Sequence, residues 1–174
     1  NGGRVIIILV APGSASTTER EKGFEDTIKQ EFPNIQIVDK QYGYSDREKS
    51  RAVTEDLLTK YPDVEGVYGP NESSTFGALL ALRAQNYTGK KAFVGFDASA
   101  DLNDALRKGE INALVLQNPF KMGYEAVKAV VDHLDGKEVP KRIDTGVKVI
   151  TTATMDDPEN AKLLRPDLSI LKQE

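Results

Sequence analysis

Polar side chains follow four short apolar runs of this 174-residue sequence, at the points where a strand would end. Asn71 follows the third run, Asp97 the fourth and Gln117 the fifth, while the first run leads into the hydroxyl-rich stretch 11–18. In an open α/β sheet, the residues after the carboxyl ends of the strands gather at one edge and bind ligands there. Amides, a carboxylate and hydroxyls offer both donors and acceptors, which suits an uncharged ligand with many hydroxyl groups.

Each of these residues also fits a simpler structural role. Asn71 or Glu72 would cap a helix that begins after the third strand, and Asp97 would stand at the entry of the next helix. Gln117 would be an exposed residue at a strand end, and the hydroxyls of 14–17 would cap the first helix. No single residue decides between the two roles. The convergence of four strand ends on one edge favours a binding site.

The elements that position these residues alternate along the chain. The β-rich runs lie at 5–10, 35–39, 64–68, 92–96, 111–116 and 147–150, and amphipathic helices are predicted over 18–32, 46–61, 73–85, 100–108 and 121–134. Continuous apolar runs are typical of strands buried on both faces. Five β–α units predict an α/β fold, a three-layer parallel sheet with helices on both faces. We expect the flavodoxin-like strand order 2-1-3-4-5.

Composition and motifs argue against an enzyme, a cofactor and a nucleic-acid partner. The chain has no cysteine, and His133 is its single histidine, so neither thiol catalysis nor a His/Cys metal site is predicted. The turn at 11–14 lacks the glycine pattern and the lysine of nucleotide sites, and no G-x-S-x-G motif occurs. A phospho-acceptor role for Asp97 would need an acidic pair where Ala11 and Pro12 stand. The net charge of -4 does not favour nucleic-acid binding.

The sequence also lacks the marks of a membrane or targeting segment. No apolar run approaches the roughly 20 residues that a membrane helix needs. Residues 1–4 do not read as a signal peptide, since no basic region is followed by an apolar stretch. If the protein is exported, we expect its signal to lie upstream or to have been removed.

Several stretches together carry a family resemblance over nearly the whole chain. They are REKGF at 20–24, SDREK at 45–49, DVEGVY at 63–68, Asn71 with GAL at 77–79, VGFD at 94–97, QNPF at 117–120 with MG at 122–123, and the segments 139–145 and 151–166. In these stretches the sequence resembles the C-terminal lobe of ribose-type periplasmic sugar-binding proteins, the type I solute receptors of ABC transporters. The resemblance implies the fold of such a lobe and a function in solute binding.

The resemblance also implies roles for individual residues. In the family, an asparagine, an aspartate and a glutamine that match Asn71, Asp97 and Gln117 bind sugar hydroxyls. Thr18 stands where ribose-type members often have a sugar-binding arginine, and Tyr44 lies beside the position of a stacking aromatic residue. The ligand is therefore expected to be a sugar or polyol, with pentoses other than ribose, hexoses and polyols left open. Ser16, from the same loop as Thr18, completes the predicted ligand-binding set.

The family has two lobes with the ligand between them, and this sequence matches one. We expect residues 1–174 to form a single lobe, a truncated or engineered half, in which 151–174 is a C-terminal tail. The helix at 119–136 would pack on the absent N-terminal lobe. In the absence of that lobe, we expect it to pack on its own sheet or on a second copy of the chain as a homodimer.

The resemblance implies partners and a location for the parent protein. The partner would be the membrane permease of an ABC sugar importer, and the location would be periplasmic or extracellular, with or without a lipoprotein anchor. The alternative is the effector-binding domain of a LacI-type transcription regulator, which shares the fold. The QNPF motif at 117–120 and the closing segment favour the transport receptor.

Overall fold

A six-stranded sheet forms the centre of the computed structural model, which describes residues 2–167. Its strands are β1 (Gly3–Leu9), β2 (Ile35–Tyr42), β3 (Gly66–Tyr68), β4 (Ala92–Phe96), β5 (Ala113–Gln117) and β6 (Val147–Thr151). They lie in the order β2-β1-β3-β4-β5-β6, and the pairs among the first five are parallel. The predicted order 2-1-3-4-5 is confirmed. The last strand joins the edge antiparallel to β5.

The helices are α1 (Ala15–Glu31), α2 (Arg47–Lys60), α3 (Glu72–Ala84), α4 (Ala100–Arg107), α5 (Pro119–Leu134) and α6 (Pro158–Leu164). Local signals fix several of their starts. The Asp46 side chain accepts from the backbone N–H of Lys49 at the start of α2, and the Asn118 side chain accepts from Lys121 at the start of α5. In the described part of the chain, no helix is both long enough and apolar enough to cross a bilayer.

The two faces of the sheet are covered unequally. Ile6 and Ile8 are fully buried in the main core. Residues of α2, α3 and α4 pack against this face of the sheet. Ile7 points to the opposite face, where a small cluster forms around Phe24 of α1. This second face is partly open to solvent, as the 63% exposure of Val149 in β6 shows. The three predicted layers are present, but α1 covers only part of the second face of the sheet.

The tail after β6 folds back onto the sheet. Met155 and Leu164 are buried in the main core. The Nδ2 atom of Asn103 in α4 donates a hydrogen bond of 2.8 Å to the carbonyl of Leu164. Within this segment, Pro158–Leu164 forms the short helix α6. The last part of the predicted tail, 168–174, lies outside the described residues.

The fifth helix does not pack on its own sheet, so the first of the two expected arrangements is wrong, while packing on a second copy stays a prediction. None of the residues of α5 is buried. Its apolar stripe is open to solvent, with Val127 67% exposed and Leu134 78% exposed. The reason is topological: β6 runs antiparallel to β5, so the chain returns to the same edge that it left. A helix in such a connection need not cross a face of the sheet, unlike the helix of a parallel crossover.

The helices α2 and α3 approach each other closely at Gly77. A Cβ atom at this position would lie 2.5 Å from the Cβ of Ser50 and 2.6 Å from the carbonyl oxygen of Arg47. The short separation holds the first turns of both helices side by side. There the Arg47 guanidinium donates to both carboxylate oxygens of Glu72, at 2.5 and 3.2 Å.

We predict that Gly77→Ala lowers the free energy of unfolding by about 1–3 kcal/mol, because the added methyl group pushes two backbones apart. Gly23→Ala in α1 is the matched control, since nothing lies within 4 Å of a Cβ at position 23. The control should raise stability by up to about 1 kcal/mol through helix propensity alone. Urea denaturation of the chain measures both changes. Equal effects of the two substitutions would contradict the close approach.

Candidate functional site

The side chains of Asp97 and Gln117 meet at the carboxyl edge of the sheet. The Nε2 atom of Gln117 donates a hydrogen bond of 2.9 Å to Oδ1 of Asp97, and both residues are half-buried. The backbone N–H of Asp97 donates to the carbonyl of Val115 at 2.9 Å. Because this bond continues the pairing of β4 with β5, the register of the two strands brings the two side chains together. The structure thus brings these two predicted residues together at one edge.

Asp97 has an unusual backbone conformation for a residue other than glycine. Its φ angle is 64°, in the left-handed region that aspartate tolerates better than most residues. The turn separates it from α4, whose cap is Ser99, with a side chain that accepts from the N–H of Leu102 at 3.3 Å. The simpler interpretation, in which Asp97 only starts the helix, is therefore wrong.

Asn71 caps α3, as the simpler interpretation of this residue expects. Its Oδ1 atom accepts from the N–H of Ser74 at 2.9 Å, and its Nδ2 atom donates to Oγ of Ser73 at 3.0 Å. An amide side chain has a second lone pair and a second N–H, so the cap leaves capacity for a ligand. The N–H of Gly69 donates to the carbonyl of Val94 at 3.0 Å. The loops that carry Asn71 and Asp97 therefore leave the sheet at the same edge.

Arg20 also reaches this edge, and the sequence interpretation did not include it in the site. Its guanidinium donates to the carbonyl of Pro70 at 3.0 Å and lies 4.0 Å from the centre of the Phe96 ring. A residue of α1 thus brings a positive charge over the ends of β3 and β4. The spacing of Arg20 along α1 does not reveal this contact, because it depends on how the helix docks beside the next loops.

The structure does not bring the predicted hydroxyl-bearing residues, Ser16 and Thr18, into contact with Asp97, Gln117 or Asn71. Ser16 and Thr18 are both exposed on the first turn of α1. Thr17 is the buried member of this stretch, and its hydroxyl donates to the carbonyl of Ser14 at 3.2 Å. Ser14 occupies the cap position without a side-chain hydrogen bond to the helix. Ligand binding by Ser16 and Thr18 stays a prediction.

Tyr44 lies after β2, where the carboxyl end of this strand meets α2. Its ring is 56% exposed and tilted against Tyr42, with 5.8 Å between ring centres. The ammonium of Lys49 lies 5.6 Å from the Tyr44 ring. The ring is thus held from two sides and presents its open surface to solvent. Its role in stacking on a ligand stays a prediction.

Burial affects the titration of one tyrosine near this edge. Tyr68, at the end of β3, stacks on Phe24 with 4.3 Å between ring centres. Burial raises the pKa of Tyr68 to about 12, with smaller and opposing effects from Arg20 and Glu21. The phenol therefore stays protonated at neutral pH and acts as a core residue. Within residues 2–167, no cluster of histidine and acidic side chains suits a metal ion.

The fold and this edge can be compared with known proteins. The family model described as "Periplasmic binding protein domain" matches residues 1–138. The chain belongs to the periplasmic binding protein family. The match covers well over half of the chain, so the family predicted from the sequence is confirmed.

Relatives in this family include import binding proteins for sugars. The ribose import binding protein of Bacillus subtilis is 35% identical over 151 residues, which are 86% of this chain and 48% of that protein. The D-apiose import binding protein of Paraburkholderia graminis is 38% identical over 109 residues, 63% of this chain and 34% of that protein. The chain spans about half the length of the ribose-binding relatives that it matches.

Solved periplasmic binding proteins have the same fold. A carbohydrate transporter solute binding protein from Agrobacterium radiobacter, in complex with D-arabinose, superposes with a TM-score of 0.90 at 31% identity. The match covers 94% of this chain and 55% of that protein. A solute binding protein from Agrobacterium vitis with bound D-fucose also has a TM-score of 0.90, at 32% identity, with 94% and 56% of the two chains covered.

The backbone of Asp97 leads to a prediction about stability in this periplasmic binding protein chain. Asp97→Asn should leave stability nearly unchanged, because asparagine tolerates the left-handed region and keeps an acceptor for Gln117. Asp97→Ala should cost about 1–2 kcal/mol, because alanine lacks the short polar side chain that lets aspartate and asparagine tolerate the left-handed region. Urea denaturation separates the two variants, with Asp104→Ala on the exposed surface of α4 as the control. An alanine variant at position 97 as stable as the asparagine variant would contradict the assigned strain.

Proposed function

We propose that this chain is the C-terminal lobe of a two-lobed receptor that binds a sugar or polyol and presents it to an ABC importer. The observation that carries the proposal is the Asp97–Gln117 pair at 2.9 Å, held at the carboxyl edge of the sheet. Support also comes from relatives named for the import of ribose and D-apiose. Solved relatives at about 30% identity contain D-arabinose, D-tagatopyranose and D-fucose.

The chemistry of the edge fits recognition without catalysis. A carboxylate accepts hydrogen bonds from two neighbouring hydroxyls, and bonds to a charged acceptor are stronger than neutral ones. The amide of Gln117 fixes the carboxylate of Asp97 and keeps its own oxygen as an acceptor. A ligand that lacks one hydroxyl would leave a polar group unpaired, which gives selectivity. The periplasmic binding protein relatives are binding proteins, which supports a chain that is not an enzyme.

The surroundings of this pair complete the proposed half-site. Asn71 adds an amide from the neighbouring loop, and the open face of the Tyr44 ring offers a surface on which a sugar ring can stack. Ser16 and Thr18 contribute hydroxyls from the first turn of α1. These residues lie on the loops and helix starts that follow the carboxyl ends of β1, β2 and β3, the side of the sheet on which Asp97 also lies.

A second lobe would complete the pocket and cover α5. The exposed apolar stripe of α5 includes Val127, Val130 and Leu134, and an apolar surface of this kind marks a site of association. We assign it to the N-terminal lobe of the parent protein. A homodimer of the chain is the competing occupant. Closure of two lobes around a ligand is a hinge motion that a transporter can recognise.

The family supports a periplasmic or extracellular location for the parent protein, in which a signal or lipoprotein anchor would precede the two lobes. The permease of the importer would be its membrane partner. The matched relatives include import binding proteins for ribose and D-apiose and a D-allose-binding periplasmic protein, which favours the receptor over the effector-binding domain of a LacI-type regulator.

In the two-lobed protein, Asp97→Asn should weaken sugar binding by about 10- to 100-fold, because a charge-assisted pair of hydrogen bonds becomes neutral. Calorimetry with D-ribose, D-arabinose, D-allose and D-fucose measures the affinity. Asp104→Asn, which removes the same charge from the exposed face of α4, should leave it unchanged. Wild-type affinity in the Asp97 variant would remove this residue from the site.

The assignment of α5 predicts different effects in the chain alone and in the two-lobed protein. The double substitution Val130→Glu and Leu134→Glu should leave the melting temperature of the chain alone unchanged, because neither side chain is buried. In the two-lobed protein, it should cost about 2–4 kcal/mol through lost apolar burial. Size-exclusion chromatography tests the homodimer in the same experiment. A dimer of the chain that the substitutions dissociate would contradict the assignment to a second lobe.

A further inference from the structure

The hydroxyl of Thr75 lies between the ends of β3 and β4. Thr75 is fully buried in the first turns of α3. Its Oγ1 atom accepts a hydrogen bond of 2.9 Å from the N–H of Phe96, the residue before Asp97. The same atom lies 3.0 Å from the carbonyl oxygen of Gly69 and 2.7 Å from that of Asn71. One side chain therefore connects both loops of the candidate site.

This hydroxyl replaces a direct bond between two strands. The N–H of Gly69 donates to the carbonyl of Val94, and in a regular parallel ladder the N–H of Phe96 would next donate to the carbonyl of Gly69. The N–H of Phe96 donates to Thr75 instead, and Thr75 contacts the Gly69 carbonyl. The oxygen of Thr75 is thus inserted into the ladder. The insertion separates the two backbones immediately before the site residues.

Two glycines make room for the inserted side chain. A Cβ atom at position 95 would lie 2.2 Å from Cγ2 of Thr75, and a Cβ at position 69 would lie 2.9 Å from its Cα. The Thr75 side chain is therefore closely packed between the backbones at the ends of β3 and β4. Neither glycine has a positive φ angle, so their role at this point is to provide space.

We propose that Thr75 is a positioning residue that sets the separation of Asn71 and Asp97 and thereby the affinity of the site for its ligand. The inference rests on the proposed function, because it assigns a purpose to the spacing of two ligand-binding groups. Thr75 itself is buried and does not contact the ligand. Its hydroxyl acts by holding the Phe96 amide and the Gly69 and Asn71 carbonyls at fixed distances from one another.

Thr75→Val tests the inference, because valine keeps the shape of threonine and removes only the hydroxyl. In the two-lobed protein, we expect it to lower the affinity for the best-bound sugar of the panel D-ribose, D-arabinose, D-allose and D-fucose by at least about tenfold. Thr75→Ser keeps the hydroxyl and should retain affinity within about threefold. Calorimetry measures the affinities. Amide hydrogen exchange of Phe96 reports separately whether its hydrogen bond is lost in the valine variant and retained in the serine variant.

Thr54→Val is the matched control for a merely structural effect. Thr54 is also fully buried, and its hydroxyl donates to the carbonyl of Ser50 at 2.6 Å within α2, away from the carboxyl edge. This variant should lose stability and keep wild-type affinity. If Thr75→Val does not fold, Thr75→Ser and Thr75→Ala, which differ by the hydroxyl oxygen alone, give the same comparison.

The outcomes separate the two proposals. A wild-type protein that binds the panel, together with a folded valine or alanine variant of equal affinity, overturns the role of Thr75 and leaves the proposed function standing. A wild-type two-lobed protein that binds none of the panel contradicts the proposed function, and the inference about Thr75 falls with it. A loss of affinity for the serine variant equal to that of the valine variant also overturns the inference, because the hydroxyl is then irrelevant.

Discussion

The candidate site depends on the parallel pairing of β3, β4 and β5. Parallel strands end at a common edge, so residues far apart in the sequence become neighbours there. The pairing of β4 with β5 continues to the N–H of Asp97, which places this carboxylate within hydrogen-bonding distance of Gln117, 20 residues further along the chain. The regular ladder between β3 and β4 stops one step earlier, at Thr75. The site therefore begins at the point where the backbone hydrogen bonds between the strands end.

Much of this arrangement could be predicted because it follows from repeating patterns. Apolar runs predicted the strands, the alternation of strands and helices predicted the sheet order, and the strand ends predicted Asp97 and Gln117. Arg20 and Thr75 could not be found in this way. Their contacts depend on how α1 and α3 dock beside loops that are distant in the sequence. The left-handed backbone of Asp97 likewise has no marker in the sequence, since aspartate is common in ordinary turns.

The fifth helix shows a different limit of sequence patterns. Its apolar stripe predicts that one face packs against a partner, but a stripe does not identify that partner. The antiparallel return of β6 removes the need for α5 to cross the sheet, and none of its residues is buried. The second face of the sheet is likewise only partly covered within the described residues. The chain matches only about half of the length of its relatives in the family.

We propose that a sugar binds at the edge of the sheet where Asp97, Gln117 and Asn71 lie. Nuclear magnetic resonance of the isotope-labelled two-lobed protein, titrated with D-arabinose or D-ribose, tests it most directly. Among the residues of this chain, we expect the largest shifts at the side-chain amides of Gln117 and Asn71 and at the backbone amides of 96–98. Shifts confined to the opposite edge, around Asn34 and Ala92, or unchanged side-chain amides on saturation with a sugar that binds, would contradict it.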